Sequence, residues 1–222
     1  MKNSLMMAVC TAGLLALSAP ANAITMVGSG VATITADNHF DFFTGTGTTG
    51  LIEWGATDAN KDDWTVNSTI NFQWNSLNID HIYISTWNDT GPAMIIGQFK
   101  NIPTGDLYTN ATDWEYLTSG NLTRTSTESE IETAIADGGA TWTPVTWEAS
   151  NGTSPWFTRP GFDTAAKYIW DSNGIVTNPA DEYVLFRSAS AIGVDVPEPG
   201  ALALLGVGLL GLAATRRRRK TA

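Results

Sequence analysis

Tryptophan is the side chain with the most binding chemistry to offer in this sequence. Nine occur, all between residues 24 and 195. A partly exposed indole presents a flat apolar face on which the C–H side of a sugar ring can stack, while neighbouring amides and carboxylates take the hydroxyls. The same ring is a large apolar contributor to a sandwich core, so position decides its use. Trp74 and Trp87 lie in strand-like stretches and are expected in the core. Trp54, Trp64, Trp142, Trp147 and Trp156 stand near loops and are the candidate glycan-stacking residues.

Oxygen ligands form the second pattern. Asp58, Asn60 and Asp62 recur at alternate positions, as at the opening of an EF-hand-type loop, and a hard cation favours such clustering. Asp63 stands where that loop has glycine, Thr69 where it has its bidentate glutamate, and Lys61 intrudes, so a solvated acidic turn competes with a calcium site. Asp37, Asn38 and Asp41 form another possible oxygen cluster. Structural Ca2+ is the one cofactor that the sequence suggests, and none is required.

Catalytic patterns are weaker. His39 and His81 are the only histidines, and neither lies near a Gly-x-Ser-x-Gly or in a His-Glu-x-x-His. Each has an acid close by, Asp41 or Asp80, and is expected at a strand edge, hydrogen-bonded to neighbours. Glycoside hydrolysis needs two facing carboxyls. Pairs such as Asp113/Glu115 and Asp181/Glu182 are inevitable in so acidic a chain, so they carry no weight, and no enzyme is expected. Cys10 is the sole cysteine. Residues 24–195 therefore hold no disulfide, thiolate metal site or cysteine nucleophile. The chain carries a net charge of −10, but Lys2, the five-residue basic tail and Glu198 lie outside residues 24–195, which hold six bases against 21 acids, a net charge of −15. Such a surface repels phosphate backbones, so nucleic acid is not an expected partner.

The elements that must position these residues read mostly as short strands. Val31–Ala36 is rich in β-branched residues, and Ile70, Phe72 and Trp74 alternate with polar neighbours. His81–Trp87 is apolar on both faces, which predicts a central strand. Further strands are expected at 94–99, 113–117, 142–147, 168–170, 183–186 and 191–194. One helix is predicted, opened by a capping box between Thr127 and Glu130, with Ile131, Ala134 and Ile135 on one face and Gly138 as terminator. About ten strands and one short helix predict an all-β, jelly-roll-type antiparallel β-sandwich.

Both ends read as addresses. Lys2, the apolar stretch Leu5–Leu17 and Ala21-Asn22-Ala23 have the order of a secretory signal peptide, with signal peptidase expected to cut after Ala23. At the other end Pro197-Glu198-Pro199 precedes the apolar run Ala201–Ala214 and the basic Arg216–Lys220. As a helix the run would be about 21 Å long, short of the roughly 30 Å hydrocarbon core. The basic cluster would hold that end in the cytoplasm while the rest is outside. The three ordered parts closely resemble the PEP-CTERM sorting signal. The resemblance implies an exported protein that an exosortase cleaves at Pro197-Glu198-Pro199, after transient anchoring in the inner membrane by the C-terminal transmembrane helix, and delivers to the cell surface or extracellular matrix. The expected organisation is a signal peptide at 1–23, a β-sandwich domain at 24–195 and the sorting signal at 196–222.

A second resemblance concerns the domain. Thr33-Ile34-Thr35-Ala36-Asp37-Asn38-His39-Phe40-Asp41-Phe42-Phe43, then Trp64, then Ile82 to Gly91, are similar to a segment order common in galactose-binding-like jelly rolls. Ala166–Asp171 followed by Tyr183–Arg187 is similar to a strand pair of the same proteins. Thr104–Ser154 looks like an added excursion. The combination implies a non-catalytic surface or matrix protein, bound to extracellular polysaccharide and associated with biofilm, with a purely structural adhesion protein as the alternative and a secreted glycan-active enzyme third.

Overall fold

A computed structural model of the chain describes residues 27–193 apart from 47–49, 56, 76–79, 90, 119–120, 138–140 and 172–181. Ala21, Ala23, the Pro197-Glu198-Pro199 motif, the apolar run behind it and Gly138 lie outside the described residues. Among the described residues no helix is long and apolar enough to cross a membrane.

Twelve described strands and one α-helix follow in order: β1 (Val27–Asp37), β2 (His39–Gly45), β3 (Ile52–Trp54), β4 (Ser68–Asn75), β5 (His81–Asn88), β6 (Met94–Lys100), β7 (Leu107–Tyr108), β8 (Trp114–Thr118), α1 (Glu128–Ala136), β9 (Thr143–Pro144), β10 (Trp147–Ser150), β11 (Lys167–Trp170) and β12 (Glu182–Ser188). They form two antiparallel sheets. The first runs β10-β11-β6-β1-β4, with β7 also paired to β6, and the second runs β3-β2-β5-β12-β8-β9. The chain crosses from one sheet to the other between β1 and β2.

Strand patterning follows from how many faces each sheet buries. Between the sheets lie Ala32 and Ile34 of β1, Phe42 of β2, Phe72 of β4, Ile84 of β5 and Phe99 of β6, with Trp114, Trp170 and Phe186 closing the layer. The outer face of the second sheet is also covered. There Phe43, Tyr83, Tyr183 and Leu185 pack with Ile131, Ala134 and Ile135 of α1. On the outer face of the first sheet Met94, Ile96 and Tyr168 lie with Trp156 and Ala166. Central strands buried on both faces read as continuous apolar runs, which is why His81–Trp87 has no alternation. The helix caps as expected, with Thr127 N donating to Glu130 Oε2 at 2.7 Å and Glu130 N donating back to Thr127 Oγ1.

The contact between β1 and β4 depends on size. Gly28 pairs with Trp74 and Gly30 with Phe72 across the ladder. A Cβ on Gly30 would lie 2.3 Å from Phe72 Cζ, and one on Gly28 2.1 Å from Trp74 Cζ2. Bare backbone on one strand is what admits the rings of the other. Phe72 then meets Phe42 edge-on at 5.2 Å and 84°, and so joins the two sheets.

Four expectations on the elements need correction. The stretch 142–147 is not one strand: β9 pairs with β8 in the second sheet, and β10 pairs with β11 in the first. Residues 191–193 form no strand, although Ile192 is buried and its N–H donates to Asp80 O at 2.7 Å. The supposed excursion 104–154 supplies β7, β8, α1, β9 and β10, so it belongs to both sheets. Trp74 and Trp87 are half-buried rather than core, whereas Trp114 and Trp170 are fully buried.

Gly30→Ala should cost about 1–3 kcal/mol by overpacking, and Phe72→Ala about 3–5 kcal/mol by cavity formation. Guanidinium unfolding of the double variant should show a loss smaller than the sum, because the added methyl enters space that the ring has left.

Candidate functional site

β3 divides two unlike surfaces. Alternation along the strand sends Trp54 toward the space between the sheets and Glu53 to the outer face of the second sheet. On the inner side a cleft of about 250 Å3 opens at the end of the sandwich, lined by Trp54, Trp74, Thr44, Gln73, Asp80 and the exposed Val27 and Ile52, among others. Both indoles are fixed by their N–H groups. Trp54 Nε1 donates to Thr44 Oγ1 at 2.9 Å, and Trp74 Nε1 donates to Asn101 O at 3.1 Å. Each ring is half-buried, so held in place while keeping part of its surface open. Two oriented aromatic rings thus share one cleft, with Thr44 and Asp80 alongside.

On the outer side, charges interlock. Buried His39 places Nε2 at 3.1 Å from Asp41 Oδ2 and Nδ1 against Asp62 Oδ1. Only an imidazolium donates from both nitrogens, so the two carboxylates select the protonated ring. Lys61 Nζ lies 2.5 Å from Asp41 Oδ1 and 3.6 Å from Glu53 Oε1, and Arg124 Nη2 lies 2.5 Å from Asp62 Oδ1. Burial opposes charge on His39, but the hydrogen bonds and charges of Asp41 and Asp62 outweigh it and raise its pKa. Burial likewise works against the Asp41 carboxylate, and the partners His39 and Lys61 more than reverse that, lowering its pKa. Asp62 is lowered for the same reason by His39 and Arg124. Glu53 is raised by burial and by the charge of Asp41, against the pull of Lys61. Beside this network is an open cavity of about 340 Å3, rimmed by Thr125, Ser126, Thr127 and Glu128.

The oxygen clusters take other roles. Asp58 caps a 3-10 turn at Ala59–Asp62, accepting from Asn60 N at 2.9 Å. Asp62 faces His39 and Arg124, Asp41 faces His39 and Lys61, and Asp37 accepts from Trp156 Nε1 at 3.0 Å. Asn38 Oδ1 accepts from Asp89 N at 3.0 Å. Neither expected triplet converges on one point, and among the described residues no group of three acidic, histidine or cysteine side chains is placed to hold a metal ion. Asp41 and Asp62 do meet, but over protein cations. Lys61, which interrupts the acidic turn in the sequence, was the available signal.

The tryptophans divide as well. Trp54 alone of the five candidates lines the cleft. Trp64 lies beneath the Arg159 guanidinium at 4.7 Å, and Trp142 beneath that of Arg187 at 4.0 Å. Trp147 packs between core groups. Trp156 is corrected outright: it is 1 % exposed and packs against Tyr168 at 5.5 Å, so its face is closed to a ligand. Trp74 joins the cleft instead. Gly28 lies opposite it across β1 just as Gly30 lies opposite the buried Phe72, so the end of the sandwich, not a local sequence signal, leaves Trp74 half open.

A group whose folded pKa is raised stabilises the fold fully below its unfolded pKa and ceases to do so as pH rises through the folded value. His39 should therefore add stability below about pH 6.5, lost on further alkalinisation, while the lowered Asp41 and Asp62 lose their contribution as pH falls through their folded values, below about pH 4. Thermal melts from pH 5 to 9 should show an alkaline decline in the native protein that His39→Gln largely abolishes. A parallel decline in both would remove His39 as its cause.

The family model of the PEP-CTERM protein-sorting motif matches residues 195–219. No curated relative and no solved structure matches the chain significantly. The match covers Pro197-Glu198-Pro199, the apolar run and the four arginines in one ordered block. The chain thus joins an antiparallel two-sheet β domain to a PEP-CTERM sorting motif, which implies export, processing by an exosortase and sorting to the surface.

Proposed function

We propose that this is a cell-surface or extracellular-matrix protein whose jelly-roll-type domain binds a glycan without transforming it. In this reading signal peptidase releases residue 24 onward, exosortase processes the chain at Pro197-Glu198-Pro199, and exopolysaccharide of the surrounding biofilm is the ligand. The observation that carries it is the pairing of Trp54 with Trp74 in one cleft. Fixed half-open rings lose little freedom on binding, so the apolar face of a sugar gains stacking at small entropic cost. Structural calcium has no part in this reading.

A glycan array should give hits that Trp54→Ala and Trp74→Ala each weaken by about tenfold to a hundredfold in Kd, equivalent to about 1.4–2.8 kcal/mol, in fluorescence titrations. Trp87→Ala, outside the cleft, should bind as the native protein does. The adhesion alternative gains if no glycan binds or if the cleft variants are silent. Sorting is tested separately: replacing Pro197-Glu198-Pro199 with alanines should leave the unprocessed chain in the membrane fraction.

A further inference from the structure

The edges of the two sheets are treated differently. β3, an edge of the second sheet, has its outward amides covered by carboxylates of α1. Leu51 N, just before the strand, donates to Glu132 Oε1 at 2.8 Å, and Glu53 N donates to Glu128 Oε1 at 3.3 Å. At the opposite edge β9 is two residues long and contains Pro144. In the first sheet β10 has four residues and carries Glu148. These are ordinary means of blunting an edge: covering groups, short strands, proline and charge.

β4 has none of them. It spans eight residues, Ser68-Thr69-Ile70-Asn71-Phe72-Gln73-Trp74-Asn75, with no charge, proline or glycine. It pairs along its whole length with β1 on one side, and among the described residues no strand pairs with the other. Ile70 and Phe72 are buried, while Thr69, Asn71 and Gln73 are exposed on the opposite face. Alternation fixed by a buried face specifies the register of the strand, so its outward edge is presented in one defined phase.

We infer that β4 is a strand-addition interface at which a second copy of this chain pairs antiparallel, β4 to β4, continuing the first sheet across a two-fold axis. Lack of charge on this edge is what admits a second copy. Residues 24–195 carry a net charge of −15, so most surfaces of two copies repel. An uncharged eight-residue edge lets them meet without opposing like charges, and antiparallel self-pairing sets Thr, Asn and Gln side chains against one another. A two-fold interface needs one self-complementary patch, and this strand supplies it.

The test uses the whole chain, expressed in an exporting cell and purified after processing. In a Cys10→Ala background an introduced cysteine is the only thiol. Thr69→Cys, Asn71→Cys and Gln73→Cys, oxidised singly and in equal pairwise mixtures, should give a disulfide-linked dimer in at least one combination, since opposed positions on antiparallel strands bring Cβ atoms within disulfide reach. Asn121→Cys, on an exposed loop, should give little. Sedimentation should show a dimer in the native protein, and whichever of Thr69→Lys and Asn71→Lys lies nearer the axis found by cross-linking should weaken it by on the order of tenfold or more in Kd, because it places like charges opposite one another. The inference is overturned if none of the β4 cysteines cross-links beyond the Asn121→Cys level, if they link to a different protein instead, or if the lysine variants associate as the native protein does. Because these readouts contain no glycan, they are independent of the Trp54/Trp74 cleft.

Discussion

The absence of side chains on Gly28 and Gly30 is the constraint on which the rest of the structure depends. Two bare positions on β1 let Phe72 and Trp74 of β4 lie across the neighbouring strand. Phe72 then reaches Phe42 of the other sheet, which leads through Phe99, at 5.8 Å, to Trp114, at 5.5 Å from Phe99. The rings run through the interior as one layer, the form in which aromatic residues contribute most to packing. Two residues further along β4 the same geometry leaves Trp74 at the margin of that layer, half open beside Trp54. Core and cleft are one alternating pattern, interrupted where the sandwich ends.

Scarcity of positive charge organises the outer surface. Of the six bases in residues 24–195, Lys61 and Arg124 converge on Asp41 and Asp62, where His39 adds a third positive charge. Arg187 pairs with Glu115 at 2.6 Å while lying over Trp142. Arg159 lies over Trp64. Four of six bases therefore bridge segments distant in sequence. Exposed ion pairs contribute little, but Asp41 and His39 are largely shielded, and removing one member would leave the other buried and uncompensated, which is the costly case. That asymmetry holds β2, the 3-10 turn and the loop before α1 together.

How much was legible depended on how local the cause was. The capping box of Thr127 and Glu130 lies within one turn, and the helix formed where it predicted. The apolar run His81–Trp87 announced a central strand because burial on both faces writes itself into every residue. Residues 142–147 misled because the composition of a strand persists across a switch between sheets, and pairing partners are not written locally. The site was less legible than the fold. Trp54 was found from its place near a loop, but Trp74 sat in perfect alternation, and its exposure comes from β1 and the end of the sandwich. Asp58, Asn60 and Asp62 followed the spacing of a cation loop, yet helical turns need capping, and the backbone of Asn60 claimed the first carboxylate. The PEP-CTERM motif was fully legible because an enzyme reads it as a contiguous string, without requiring a fold.

In the proposed reading, an open cleft with two rings would bind one sugar segment weakly, because small contact area limits affinity. Polysaccharides repeat the same segment many times, so a weak site becomes effective when several are held together, each further contact being formed at a high local concentration set by the distance between sites. Gln73 and Trp74 line the cleft and also belong to β4. An edge that joins copies would thus bring clefts near the same axis, and a chain long enough to span them would bind both. Dissociation would then require simultaneous release, and the ordering of the pair would contribute more to retention than any single indole. The acidic remainder of each copy opposes random aggregation, leaving the uncharged strand as the route of closest approach.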